Sequence, residues 1–165
     1  MNGEILVACI GNIFLGDDAF GPEMAKRLAG TPLPEGITIR DFGIRSYDLA
    51  YALMQDWELV ILVDAMPGGG TPGTLYAFEP EFSADNETAP SVDPHIMSPV
   101  AVLQLVRALG GKVGRLQVVG CEPESVEPNN NGEIGLSAPV KAALEEGVRL
   151  VYDLIASARS HALAA

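Results

Sequence analysis

Cysteine is scarce: Cys9 and Cys121 are the two in 165 residues. A chain of this length buries roughly two-thirds of its unfolded surface and needs no disulfide staple. Both thiols sit inside or beside apolar strand-like runs and form no Cys-x-x-Cys pair. That excludes a paired-cysteine metal site and indicates a reducing compartment. Basic residues are also few, 10 against 22 acidic ones, for a net charge of −12. Nucleic-acid affinity rests on neutralising phosphates, so a nucleic-acid partner is not expected. A metal ion or a basic protein segment is compatible with this charge, as is mere solubility. No apolar run approaches the ~20 residues that span a bilayer, so no membrane partner is expected. The start, Met1-Asn2-Gly3-Glu4, has no basic segment and leads straight into a strand pattern. A cytoplasmic location is the expectation. Two hydrolase motifs are absent as well, His-Glu-x-x-His and Gly-x-Ser-x-Gly.

What is present is a composition of 48% apolar and 19% charged residues, which supports a packed core over disorder. Ile5 to Ile10 is a continuous apolar run, and Glu58 to Ala65 holds another, Leu59 to Val63, ending in a carboxylate; both have the pattern of strands covered on both faces. Weaker strand patterns occupy residues 36–41, 74–78 (at an edge) and 115–121. Phe20, Met24 and Leu28 recur on one helical face, with Pro22 confined to the first turn and Gly30 available as a stop. Ser46 reads as the cap of a short helix to Gln55, and Ser98-Pro99 as a cap followed by proline at the first helical position. The last helix starts at Ser137 and Pro139, with Val140, Leu144, Val148, Val151 and Ile155 as its stripe. Residues 79–94 form a long acidic loop, more simply solvated than a docking element. The alternation predicts an α/β chain: a three-layer αβα sandwich around a mostly parallel, twisted sheet of about five strands. One domain spans residues 1–156, with a frayed tail at 157–165.

In such sheets ligands bind beyond the carboxyl ends of the strands. Those ends carry Gly11-Asn12, Asp64-Ala65 and Cys121-Glu122, with Asp17-Asp18 just after the first strand. Asp18 precedes a helix, where an aspartate commonly caps; two adjacent carboxylates exceed what a cap needs. Asp64 closes an apolar run, so its charge enters a partly buried place and must meet a cation or several N–H donors. His95, one of two histidines, lies just ahead of Ser98, while His161 falls in the tail. Together Asp18, Asp64 and His95 make an oxygen, oxygen, nitrogen set suited to nickel, zinc, cobalt, iron or manganese, with positions left open for a reacting group. Cys121 with His95 is a weaker pairing, since Cys121 reads as a buried strand end. Gly11, Gly16 and Gly21 miss the dinucleotide spacing, and the two carboxylates there would repel a pyrophosphate.

At these residues the chain resembles the nickel–iron hydrogenase maturation endopeptidases. Ile10-Gly11-Asn12-Ile13-Phe14-Leu15-Gly16-Asp17-Asp18-Ala19-Phe20-Gly21 is similar to the family's first signature, Val63-Asp64-Ala65 to its second and Pro94-His95 to its third. Pro123-Glu124-Ser125-Val126-Glu127-Pro128 and Gly135-Leu136-Ser137 resemble its C-terminal pattern. The likeness runs in order over nearly the whole chain, with departures at Cys9, Gly43-Ile44 and Asn129-Asn130-Asn131. The resemblance implies an aspartyl-type protease that removes a C-terminal extension from a hydrogenase large-subunit precursor after nickel insertion. It implies Asp18, Asp64 and His95 as metal-contacting and catalytic residues. The metal is then nickel supplied by the substrate, with cadmium or zinc as substitutes; apart from the resemblance, a monomer is the expectation. Three rival expectations are a non-catalytic checkpoint protein that binds the metallated precursor, a different hydrolase carrying its own metal, and a plain α/β domain in which Asp18 is only a helix cap.

Overall fold

The computed structural model describes residues 3–80, 98–128 and 134–164. Five strands form one sheet: β1 (Ile5–Ile10), β2 (Ile37–Gly43), β3 (Leu59–Ala65), β4 (Leu75–Phe78) and β5 (Leu116–Cys121). Their order is β2-β1-β3-β5-β4. The first four neighbours are parallel, and β4 runs antiparallel to β5 at the edge. Helices α1 (Phe20–Ala29) and α4 (Ala138–Ala164) cover one face, α2 (Ser46–Leu53) and α3 (Pro99–Ala108) the other. The expected mostly parallel αβα sandwich is what forms.

The layering follows from alternation along the strands. Ile5, Val7, Ile61 and Val63 pack toward α1 and α4, against Phe20, Met24, Val140 and Val151. Leu6, Ala8, Val60 and Leu62 pack toward α2 and α3, against Leu49, Leu53, Val102 and Val106. Every residue of β1 and β3 is buried, which explains why both read as unbroken apolar runs. Each buried leucine or isoleucine contributes about 1.5–3 kcal/mol.

Three local expectations need correction or fall outside the described residues. Ser46 is the first residue of α2, behind Arg45 at the cap position, with no side-chain cap. The tail does not fray at residue 157; α4 continues to Ala164. Ala158 is 1% exposed and extends the stripe of Val151 and Ile155 into the core, while the Arg159 guanidinium donates to the Glu35 carbonyl. By contrast Ser98 caps α3 as expected, its Oγ accepting from the Ala101 N–H at 3.2 Å. The acidic loop, His95 included, lies almost wholly outside the described residues, as do Asn129-Asn130-Asn131.

Candidate active site

From β1 the chain crosses to β2 on one side of it, while β3 lies on the other. The connections diverge between the carboxyl ends of β1 and β3, the position where open α/β sheets form a crevice. Asp64 is the penultimate residue of β3. Asp18 belongs to a 3-10 turn, Gly16–Ala19, between β1 and α1. The loop that carries it is tied locally: Leu15 N–H donates to the Asn12 carbonyl at 3.1 Å, Asp18 N–H to the Leu15 carbonyl at 3.1 Å and Phe14 N–H to Asn12 Oδ1 at 3.0 Å. The Asp18 carboxylate accepts from the Asn12 N–H at 2.8 Å. It does not cap α1, whose cap position is Ala19 with no side-chain bond.

Two glycines permit this arrangement. A Cβ on Gly11 would sit 1.9 Å from the Asp18 carbonyl oxygen, and one on Gly21 would sit 2.0 Å from the Ile10 carbonyl oxygen. Any side chain at either position would push the turn and α1 away from β1, and the Asp18 carboxylate with them.

The adjacent acid, Asp17, has a different fate. It is 1% exposed. Its Oδ2 accepts from Glu124 N–H at 2.8 Å, Ser125 N–H at 3.4 Å and Ser137 Oγ at 2.8 Å, and its Oδ1 from Ser137 N–H at 2.7 Å. Asp17 therefore latches the 3-10 turn to the loop after β5 and to the start of α4. Its charge is spread over these donors, which answers the puzzle of the adjacent pair.

Asp64 is 3% exposed, and its Oδ1 has no hydrogen-bond partner among the described residues. Burial pushes its carboxyl well above the usual carboxylate range, the neighbouring Asp18 charge pushes it further, and the Ala65 N–H opposes both. Asp18 is raised as well, by burial, with the Asn12 N–H opposing. Asp18 and Asp64 thus share one crevice in which burial disfavours the charge of each, and the charge of Asp18 disfavours that of Asp64. A divalent ion is the charge that would relieve both.

Other side chains bound what this crevice does. Burial, then the charges of Asp17 and Glu122, pushes the Cys121 thiol up to about 12; burial, then Asp41, raises Cys9 too. Neither supplies a thiolate nucleophile near neutral pH. Glu122 was not expected as a site residue. Its Oε2 accepts from Gly68 N–H at 2.7 Å and Tyr76 OH at 2.8 Å, and its Oε1 from Gly69 N–H at 3.1 Å. These bonds fix the loop that follows Asp64. The Gly68 N–H above all, against the effect of burial, holds the Glu122 carboxyl below its ordinary value, with Tyr76 and the Gly69 and Gly70 N–H groups adding to it. Neither Asp17 nor Glu122 carries a local signal, because each meets donors far away in the chain.

The structure thus brings two of the three expected residues, Asp18 and Asp64, to one place. His95 lies outside the described residues, and among those described no three His, Cys, Asp or Glu side chains group as a metal site.

Comparison with known proteins is consistent over most of the chain. A family model described as hydrogenase maturation protease matches residues 22–154, beginning just after the Asp18 turn. The chain is 31% identical over 163 residues to the coenzyme F420 hydrogenase subunit delta of Methanothermobacter thermautotrophicus, covering 93% of this chain and 96% of that protein. It is 30% identical over 149 residues to the hydrogenase 2 maturation protease of Escherichia coli, covering 90% and 88%. Among solved structures, the hydrogenase maturating endopeptidase HybD from E. coli superposes with a TM-score of 0.72 at 29% identity, covering 93% of each chain. A hydrogenase 2 maturation peptidase from a Thaumarchaeota archaeon gives 0.67 at 29% identity, covering 92% and 97%.

Proposed function

The chain belongs to the hydrogenase maturation protease family, and from that premise we propose that it cuts a C-terminal extension from a nickel–iron hydrogenase large-subunit precursor once nickel has been inserted. The carrying observation is the Asp18–Asp64 pair: two carboxylates at the sheet's switch point, one of them with a buried, unpartnered oxygen. In a chain with no thiolate to offer, that pair favours hydrolysis by water over a covalent enzyme intermediate.

In this reading the metal arrives with the substrate. Asp18, Asp64 and His95 engage the precursor's nickel, and a precursor without nickel gives the pair nothing to bind. Engagement fixes the scissile bond against the rim and removes much of the entropic part of the barrier. Asp64 belongs at the metal because its anionic form is the least stable without one. Asp18, held by Asn12, keeps its second oxygen for the same ion. Water attacks the scissile carbonyl with help from the nickel as a Lewis acid or from a carboxylate as base. The same reading has the chain working in the cytoplasm as a monomer; no helix among the described residues is long and apolar enough to cross a membrane.

The test is purified, nickel-loaded precursor mixed with the chain and followed by intact mass. A mass loss equal to the extension, absent with nickel-free precursor and absent with Asp64→Ala, is the expected result. Normal cutting by Asp64→Ala overturns the site assignment. Binding without any mass change points to a checkpoint protein, and zinc purified at one per chain to a hydrolase with its own metal.

A further inference from the structure

β2 is an edge strand: among the described residues it pairs with β1 and with no other strand. It is seven residues long, against four for β4 at the opposite edge. The Gly36 carbonyl accepts from Ile5 N–H at 2.9 Å. By alternation, Gly36, Thr38 and Arg40 turn their backbone groups toward β1, and Ile37 and Ile39 turn theirs outward. An outward row of unpaired N–H and C=O groups is a template for another strand.

That row leads directly to the active-site rim. Gly11 N–H donates to the Gly43 carbonyl at 3.0 Å, and Gly11 is followed by Asn12, the residue that binds Asp18. Beside the edge, between β2 and α2, runs a groove of about 600 Å³ whose lining includes Arg40, Asp41, Phe42, Arg45, Asp48 and Tyr51, with Arg45 paired to Asp48 at 3.8 Å. Phe42 is buried at its floor, while Tyr51 is 57% exposed along its wall. Arg40 is exposed, and its guanidinium has no hydrogen-bond or ion-pair partner among the described residues.

We propose that the precursor's C-terminal extension binds as an added strand on the outer edge of β2, antiparallel to it. This deepens the function proposed above and rests on it. The polarity follows from connectivity. Residues before the scissile bond belong to a folded precursor, which fits at the open rim beyond the strand ends. Residues after the bond start at Asp18 and Asp64, reach β2 at Gly43 and continue toward Ile37. Strand addition supplies affinity through main-chain bonds to Ile37 and Ile39, and alternate side chains enter the groove over Tyr51. Arg40 offers carboxylates of the extension a cation. A second copy of this chain is the poorer occupant, because two chains of net charge −12 repel.

Amide exchange measured by NMR tests this, using the unaltered chain and full-length nickel-loaded precursor made uncuttable by proline on the carboxyl side of the scissile bond, with co-elution of the two showing that the complex forms. The Ile37 and Ile39 amides slow by at least about tenfold in the complex, while Thr38, already in the ladder, changes little. Unchanged exchange at Ile37 and Ile39 in the co-eluting complex, with the parent precursor cut by the same chain, overturns the strand and leaves the protease reading intact. Failure of the unaltered chain to cut overturns that reading first. As a second variant, Ile39→Pro removes an outward N–H without touching the β1 ladder. It raises KM by about tenfold or more with kcat within about twofold. An unchanged KM overturns the proposal; should the variant not fold, the exchange experiment decides alone.

Discussion

At Asp17 the side-chain and backbone donors of Ser137 and the N–H groups of Glu124 and Ser125 converge on one carboxylate, whereas Asp18 beside it accepts from Asn12. The two call for opposite outcomes on substitution. Asp17→Ala strands these donors in a buried place and lowers stability by about 3–5 kcal/mol, measured as a fall in the denaturant midpoint at constant slope. Asp64→Asn acts the other way. It removes a buried charge that lacks a partner on Oδ1, so the metal-free protein gains about 1–3 kcal/mol at neutral pH, while cutting of precursor is lost. The gain depends on pH. Because the folded-state pKa of Asp64 is raised, the native chain holds more protons than the unfolded one between the ordinary carboxylate value and the raised one. Stability falls as pH rises through that window. The advantage of Asp64→Asn is therefore full above it and disappears below the ordinary carboxylate range. Melting curves of both proteins from acid to neutral pH check this.

Among the elements, the junction of β1 with α1 is the most exacting. Gly21 lies so close to Ile10 that a Cβ would meet its carbonyl oxygen at 2.0 Å and its nitrogen at 2.8 Å, both rigid backbone atoms. Gly21→Ala is expected to cost at least about 3 kcal/mol and to lower cutting in whatever protein remains folded, since α1 and the Asp18 turn shift together. Thermal denaturation alongside the cutting assay separates the two losses. Most elements were legible because their signals are local. The apolar runs of β1 and β3 reported burial on both faces, and Ser98-Pro99 reported the start of α3. The end of α4 was not legible: Ala158 looks neutral in a list of residues, and its burial arises from the sheet face beneath it.

For the whole molecule, two acids on separate elements become one electrostatic unit. Asp18 raises Asp64, and a divalent cation binding both must stabilise the folded chain. Cadmium or nickel at about 100 times its dissociation constant should add roughly 2.7 kcal/mol to the unaltered protein, read as a raised melting midpoint of about 2–4 °C per kcal/mol. Asp64→Asn should show almost none of that rise. An equal rise in both proteins would mean that the ion binds elsewhere on this acidic surface.

By itself the sequence determined the kinds of element, their order, and the fact that Asp64 closes one strand that pattern marks as buried while Asp18 follows another by a short loop. Periodicity and burial are local properties, and they are written in neighbouring residues. Only the tertiary structure decided the strand order that sets those two ends side by side, the hydrogen bonding of Asp17 by Ser137 at a separation of 120 residues, and the fixing of the loop after Asp64 by Glu122, 54 residues from Gly68. Such pairings depend on where the chain returns in space, and no local repeat encodes that return.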